Sequence, residues 1–154
     1  MKHAFLVLSS YGLDYLKCFL EQFKNDEDFY FFIHLDNKSL YDYNDNAVFF
    51  NEFKNIIYKD HIKRCRRFSS NMCDIMIELI RKAYNSNYDF SFFHIISESC
   101  YLIKPINEFK NFFINNEEKS FMPYEYFFGC KIGRKLIYKS SQWFTLNRYI
   151  ISLV

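Results

Sequence analysis

Three apolar runs in this chain end abruptly in small or charged residues, and those endings hold most of its chemistry. Residues 4–8 stop at Ser9-Ser10, residues 29–35 at Asp36, and residues 90–96 at Ser97-Glu98-Ser99-Cys100-Tyr101. Each run is short, aromatic and β-branched, and apolar on both sides, as a strand in the middle of a covered sheet must be. In an open α/β sheet, ligands bind at the carboxyl ends of such strands. A carboxylate at Asp36 would accept hydrogen bonds from sugar hydroxyls or a ring N–H there; its competing role is a turn residue capping 37–40. Ser9 and Ser10 offer hydroxyls and backbone groups to the same edge, or form a plain polar turn. Glu98 is suited to binding a hydroxyl substrate or to removing its proton as a general base. Equally, it could cap a helix starting at Ile106 or pair with Lys104.

Two further places carry chemistry. Arg66, Arg67 and Phe68 combine guanidinium groups with a ring, a set that grips an aromatic base or a phosphate; a solvated basic loop is the alternative. Gln142-Trp143 presents the only Trp, either as an indole for a sugar face or as core. His34 and His94 lie inside apolar runs and read as hydrogen-bonded core histidines. Cys100 has no base visibly paired with it and reads as a small buried filler.

Elements must hold these groups in place. Leu13, Leu16, Phe19, Leu20 and Phe23 recur at helical spacing between the first two runs, which makes a βαβ unit. Residues 47–50 fit a short strand or the start of a helix, and 55–58 a short strand. Ser69 or Ser70 caps the clearest helix, whose stripe is Met72, Ile75, Met76, Leu79, Ile80 and Ala83. After the third run, Ile106, Phe109, Phe112 and Phe113 predict a short helix. Residues 121–122 suggest a strand, 124–134 a loop, and 136–138 and 142–146 strands. Asn147 opens a helix that runs into the apolar end Ile150, Ile151, Leu153 and Val154. A domain seldom ends on an apolar helix start, so the sequence predicts a chain cut short at this end and able to self-associate or meet a partner chain there.

Composition bounds the class. The chain has 154 residues, enough for one domain with a real core, and half of them are hydrophobic. Twenty basic residues against 18 acidic ones leave a formal charge of +2, which gives no reason to expect nucleic acid. The five cysteines are odd in number and form no C-x-x-C pair, so neither a disulfide framework nor a metal cluster is expected. A reducing, cytoplasmic setting follows, with peripheral membrane contact allowed. The N-terminal run 4–8 is too short for a signal-peptide core, and no run approaches the length of a membrane span.

Four segments taken together resemble the core-2/I-branching glycosyltransferase family, which contains β-1,6-N-acetylglucosaminyltransferases and peptide O-xylosyltransferases. They are His3-Ala4-Phe5-Leu6-Val7-Leu8, Phe32-Ile33-His34-Leu35-Asp36-Asn37-Lys38-Ser39, Phe93-His94-Ile95-Ile96-Ser97-Glu98-Ser99-Cys100-Tyr101-Leu102-Ile103-Lys104-Pro105, and Ser140-Ser141-Gln142-Trp143-Phe144-Thr145-Leu146-Asn147-Arg148. The resemblance implies a GT-A, Rossmann-like α/β fold with a mostly parallel central sheet and helices on both faces. It implies one domain over 1–154, with a donor-binding part at 1–105 and the start of an acceptor side at 106–154.

The implied reaction is inverting transfer of N-acetylglucosamine or xylose from a UDP-sugar to a glycan or protein hydroxyl. Ser9, Ser10, Asp36, Arg67 and Phe68 would hold the nucleotide sugar, and Glu98, Gln142 and Trp143 the acceptor, with Glu98 the catalytic candidate. No metal or other cofactor is expected: an Asp-x-Asp motif is missing beside the third segment, and one carboxylate is a poor site for a hard cation. The sequence departs from the family at Cys100, where Asp is usual, at Leu102, where Pro is usual, and at Arg67-Phe68, in place of an aromatic-Gly pair. The family's catalytic Glu and its diphosphate-binding basic residues lie downstream of the fourth segment, past residue 154. A binding module completed by a partner chain is therefore the competing expectation.

Overall fold

The computed structural model of the protein describes residues 1–10, 13–36, 48–60, 70–132, 135–140 and 143–153, with backbone alone at Leu13, 124–132 and 135–140. The chain begins β1 (Lys2–Ser9), α1 (Leu13–Glu21), β2 (Phe29–Leu35), β3 (Ile56–Asp60), α2 (Ser70–Tyr84) and β4 (Phe90–Ser97). It continues α3 (Ile106–Ile114), β5 (Tyr124–Ile132), β6 (Lys135–Ser140), β7 (Phe144–Asn147) and α4 (Arg148–Ile151). Five strands form one sheet in the order β3-β2-β1-β4-β7. Neighbours are parallel except β7, which runs antiparallel to β4.

Alternation along the strands sorts the core into two layers. Phe5, Val7, Phe29, Phe31 and Ile33 face α1, where Leu16, Phe19, Leu20 and Phe23 cover them. Ala4, Leu6, Phe32, Phe93 and Ile95 face α2 and meet Ile75, Leu79 and Ala83. α3 joins the α1 layer through Phe109. The helices therefore lie on both faces, which is why the strands read as unbroken apolar runs. Burying each such side chain contributes roughly 1.5–3 kcal/mol. Between Lys2 and His3 the β1–β4 register slips, pairing Lys2 with Phe90 and His3 with Phe92. That bulge keeps both Phe90 and Phe93 in the α2 layer.

Several expectations change. The loop expected at 124–134 is a strand over 124–132: β5 spans Tyr124–Ile132 and pairs antiparallel with β6. The aromatic content of this stretch has strand propensity, and β6 supplies a partner. The alternatives at 47–50 resolve to helix, which covers 48–51. Phe121 makes one isolated bridge, to Thr145. The C-terminal helix covers only Arg148–Ile151, and the apolar end is not wholly exposed: Ile151 is buried in the α2 layer while Leu153 stays out. Asn147 caps this helix by accepting the Ile150 N–H at 3.0 Å. Among the described residues, no helix is long and apolar enough to cross a membrane.

Candidate functional site

The strand order reverses at β1. The chain steps outward from β1 to β2 and β3, then returns to place β4 on β1's other side. A crevice at the carboxyl end of this junction is the position where open α/β sheets bind ligands. The predicted groups at 9–10, 36 and 98 all arrive there.

Backbone contacts lace the three strand ends together. Asp36 N donates to Ser9 O at 2.8 Å, and Glu98 N donates to Leu8 O at 3.4 Å. Ser10 N donates to the Glu98 carboxylate at Oε1, 2.9 Å away. A backbone donor that follows a strand end is left over by the ladder, and here the carboxylate takes it. Asp36 is 4% exposed and Glu98 only 1%. The Ser9 hydroxyl is buried without a hydrogen-bond partner, an open polar valence directly behind the edge.

Glu98 does not serve α3. That helix is capped by Pro105 with no side-chain cap bond, and Lys104 pairs with Glu108 at 3.4 Å. The loop after β4 instead turns through Cys100 N to Ser97 O at 3.1 Å, with the Ser97 and Ser99 hydroxyls 2.8 Å apart. Cys100 is a half-buried free thiol whose Sγ lies 3.7 Å from Ser97 Oγ. Arg67, Phe68 and Gln142 lie outside the described residues. Trp143 is half-buried and packs against the α2-layer cluster.

His94 is a core histidine as expected, but its partner is His3. His94 Nε2 lies 3.0 Å from His3 Nδ1, and His94 Nδ1 lies 2.9 Å from Thr145 Oγ1. His3 Nε2 is buried without a partner. An orphaned lone pair costs less than an orphaned N–H, so the favoured arrangement has His3 Nδ1–H donating to His94 and His94 Nδ1–H donating to Thr145. Burial, and then the nearby N-terminal ammonium, push the His3 imidazole down to about 4. Burial and the neighbouring His3 push His94 down as well.

Two long-range contacts went unread in the sequence. Gln22, just past α1, bonds the backbone of Leu102 in the loop after β4. Asn147 donates to the carbonyls of Glu117 and Glu118 while capping α4. Neither contact carries a local signal, because each partner lies far along the chain. A surface depression of about 600 Å³ opens between Asp89, Glu118 and Arg148, at the amino end of β4. Arg148 is already paired with Asp89 there at 3.2 Å. Among the described residues, no group of three or more His, Cys, Asp or Glu could hold a metal ion.

The family model for the Core-2/I-Branching enzyme matches residues 3–135. That span includes the first three sequence segments and stops short of the fourth. No curated protein matches the sequence. Among solved structures, the chain is similar to the crystal structure of S. aureus TarS 1–349, with a TM-score of 0.54 and 11% identity. The alignment covers 87% of this chain and 39% of that one, so the chain spans well under half the length of this neighbour. The shared fold is of the GT-A type.

Proposed function

Since the chain belongs to the core-2/I-branching enzyme family, we propose that it acts in glycosyl transfer, moving N-acetylglucosamine or xylose from a UDP-sugar to a hydroxyl of a glycan or protein. The observation that carries this reading is the meeting of Ser10 and Glu98 at the strand-order reversal, with Asp36 closing the next strand. Asp36 is the nucleoside contact, accepting from ribose or uracil. The unpartnered Ser9 hydroxyl supplies a hydrogen bond to the same ligand. Arg67 and Phe68, a guanidinium beside a ring, complete the nucleotide side, and Gln142 and Trp143 the acceptor side.

The reaction is a single displacement with inversion. The acceptor oxygen bonds to the anomeric carbon as the bond to the diphosphate breaks, and a carboxylate takes the acceptor's proton. No metal is invoked in this step. Free thiols at Cys18, Cys73 and Cys100 suit a reducing, cytoplasmic setting, with peripheral membrane contact for a lipid-borne or surface acceptor.

A second reading has its own support. Glu98 is 1% exposed and already accepts the Ser10 N–H, so it is better placed to hold two strand ends together than to reach an acceptor. A chain using Glu98 in that way would bind the donor and rely on a carboxylate elsewhere, on a partner chain or a further segment. Calorimetry with UDP, UDP-N-acetylglucosamine and UDP-xylose tests both, followed by a UDP-release assay with hydroxyl acceptors. Binding that weakens about ten-fold or more in Asp36→Asn supports the common site. Release by the wild type that is abolished in Glu98→Gln assigns the base to Glu98, and binding without release favours the module. Absence of any UDP binding at millimolar concentration removes both readings.

A further inference from the structure

We propose that Tyr101 is a sugar-stacking residue of this edge, held outward by a side-chain clamp from Gln22. The inference rests on the glycosyl-transfer reading above and adds to it a place for a pyranose face. Tyr101 is 62% exposed and Ile103 90%, while Leu102 between them packs into the α1 layer. That out-in-out pattern is what an extended segment gives when its middle residue is anchored.

The anchor is Gln22. Its Nε2–H donates to Leu102 O at 3.1 Å, and its Oε1 accepts from Leu102 N at 3.0 Å. The amide therefore satisfies both backbone groups of Leu102, as a neighbouring strand would. A second tie lies four residues earlier, where Glu98 accepts from Ser10 N. Both ties run to the same β1–α1 unit, because Ser10 precedes α1 and Gln22 follows it. The loop is fixed at both ends of its exposed aromatic, so little conformational freedom is left to lose when a ligand arrives.

A pyranose presents polarised C–H bonds on one face, and these pack against the negative face of an aromatic ring. Tyr101 offers such a ring three residues past the buried Glu98. Trp143, the other aromatic candidate, is half-buried against the opposite layer. The sugar is either the donor's or the acceptor's; both present the same C–H face.

Calorimetry on the full chain separates the two, with UDP, UDP-N-acetylglucosamine and methyl β-galactopyranoside as probes. Tyr101→Ala is expected to weaken UDP-N-acetylglucosamine or the galactoside by about three- to ten-fold while UDP affinity holds. Loss in the first arm assigns the donor sugar, and loss in the second the acceptor. Tyr101→Phe is expected to match the wild type, because the ring survives. Gln22→Ala is expected to reproduce the sugar-specific loss without altering UDP affinity, which general destabilisation would not do. The proposal is overturned if Tyr101→Ala changes neither sugar arm, if Tyr101→Phe is as damaging as Tyr101→Ala, or if UDP affinity falls in parallel. Should the wild type ignore UDP yet bind the galactoside through Tyr101, the nucleotide reading fails and this one stands. If it binds none of the probes, both fail.

Discussion

Mild acid should unfold this protein by charging its buried imidazoles. His3 is fully buried and His94 is 3% exposed, and they share one hydrogen bond. His3 stacks on Phe29 at 5.1 Å and Phe92 at 5.8 Å, with Phe113 edge-on at 5.3 Å. The charges facing it are the Met1 ammonium, Asp28, Lys110 and Asp26, and they largely satisfy one another: Lys110 bridges both aspartates and Met1 N pairs with Asp28. A proton added to His3 therefore meets aromatic rings and a second imidazole rather than a waiting carboxylate.

A fall from the ordinary 6.5 to about 4 for His3 corresponds to about 3 kcal/mol. The sign follows from which state binds the proton first. In the unfolded chain the imidazole charges near its ordinary value; in the folded one it resists until about 4. Stability is thus intact above about pH 6.5 and drains away as the pH falls toward about 4, at about 1.4 kcal/mol per pH unit for one group and about 2.7 where both titrate. Asp28 is pulled below its ordinary 3.8, chiefly by Lys110 against the opposing effect of burial, so its own loss comes at lower pH and leaves this window to the histidines. Urea unfolding followed by Trp143 emission, at intervals from about pH 7.5 to about pH 4.5, measures the slope. The double variant His3→Phe with His94→Phe removes both titrating groups from a cage of rings and should flatten it. A wild-type stability that stays level across the window, or a double variant that keeps the slope, refutes the argument.

Three further outcomes follow from single contacts. Glu98→Ala removes the carboxylate that accepts the Ser10 N–H and should lower stability by about 1.5–3 kcal/mol, the worth of a hydrogen bond to a charged group, whereas Glu98→Gln keeps an acceptor oxygen and should lose less; chemical denaturation compares them. Asn147→Ala removes the α4 cap and the bonds to Glu117 O and Glu118 O, a loss of about 1–2 kcal/mol readable as a lower Tm. Leu79→Ala opens a cavity between α2 and the sheet and should cost about 2–5 kcal/mol in the same measurement, with UDP affinity unchanged because the α2 layer lies away from the strand edge.

The three central strands β1, β2 and β4 were legible because their burial is two-sided. A run such as 29–35 has no polar face to mistake, and its limits in the structure coincide with the sequence reading. The α2 stripe was legible for the matching reason, a single apolar face at helical spacing with charges elsewhere. Residues 124–132 were not, because a hairpin strand outside the main sheet keeps charged positions and a glycine among its aromatics. Only pairing with β6 identifies it, and pairing is not a local property. The helix at 148–151 was read as longer than it is for a related cause. Asn147 signals where it starts, but nothing local marks its last residue.

The site divides along the same line. Each strand's terminal residues could be nominated from their own neighbourhoods: Ser9, Asp36 and Glu98 all stand where an apolar run breaks. What joins them is separation in sequence closed by topology. Ser10 and Glu98 are 88 positions apart, Gln22 and Leu102 are 80, and His3 and His94 are 91. All three contacts exist because β4 returns to the flank of β1 after α2 has crossed the opposite face. The reversal that brings the strand ends together is therefore also what ties them, at the carboxylate, at the glutamine clamp and at the imidazole pair. A change that weakens β1–β4 pairing should loosen all three together, while a change at β2–β3 should spare them. Glu98, Gln22 and His94 are for this reason parts of one structural joint on which a ligand at Asp36 and Tyr101 would depend.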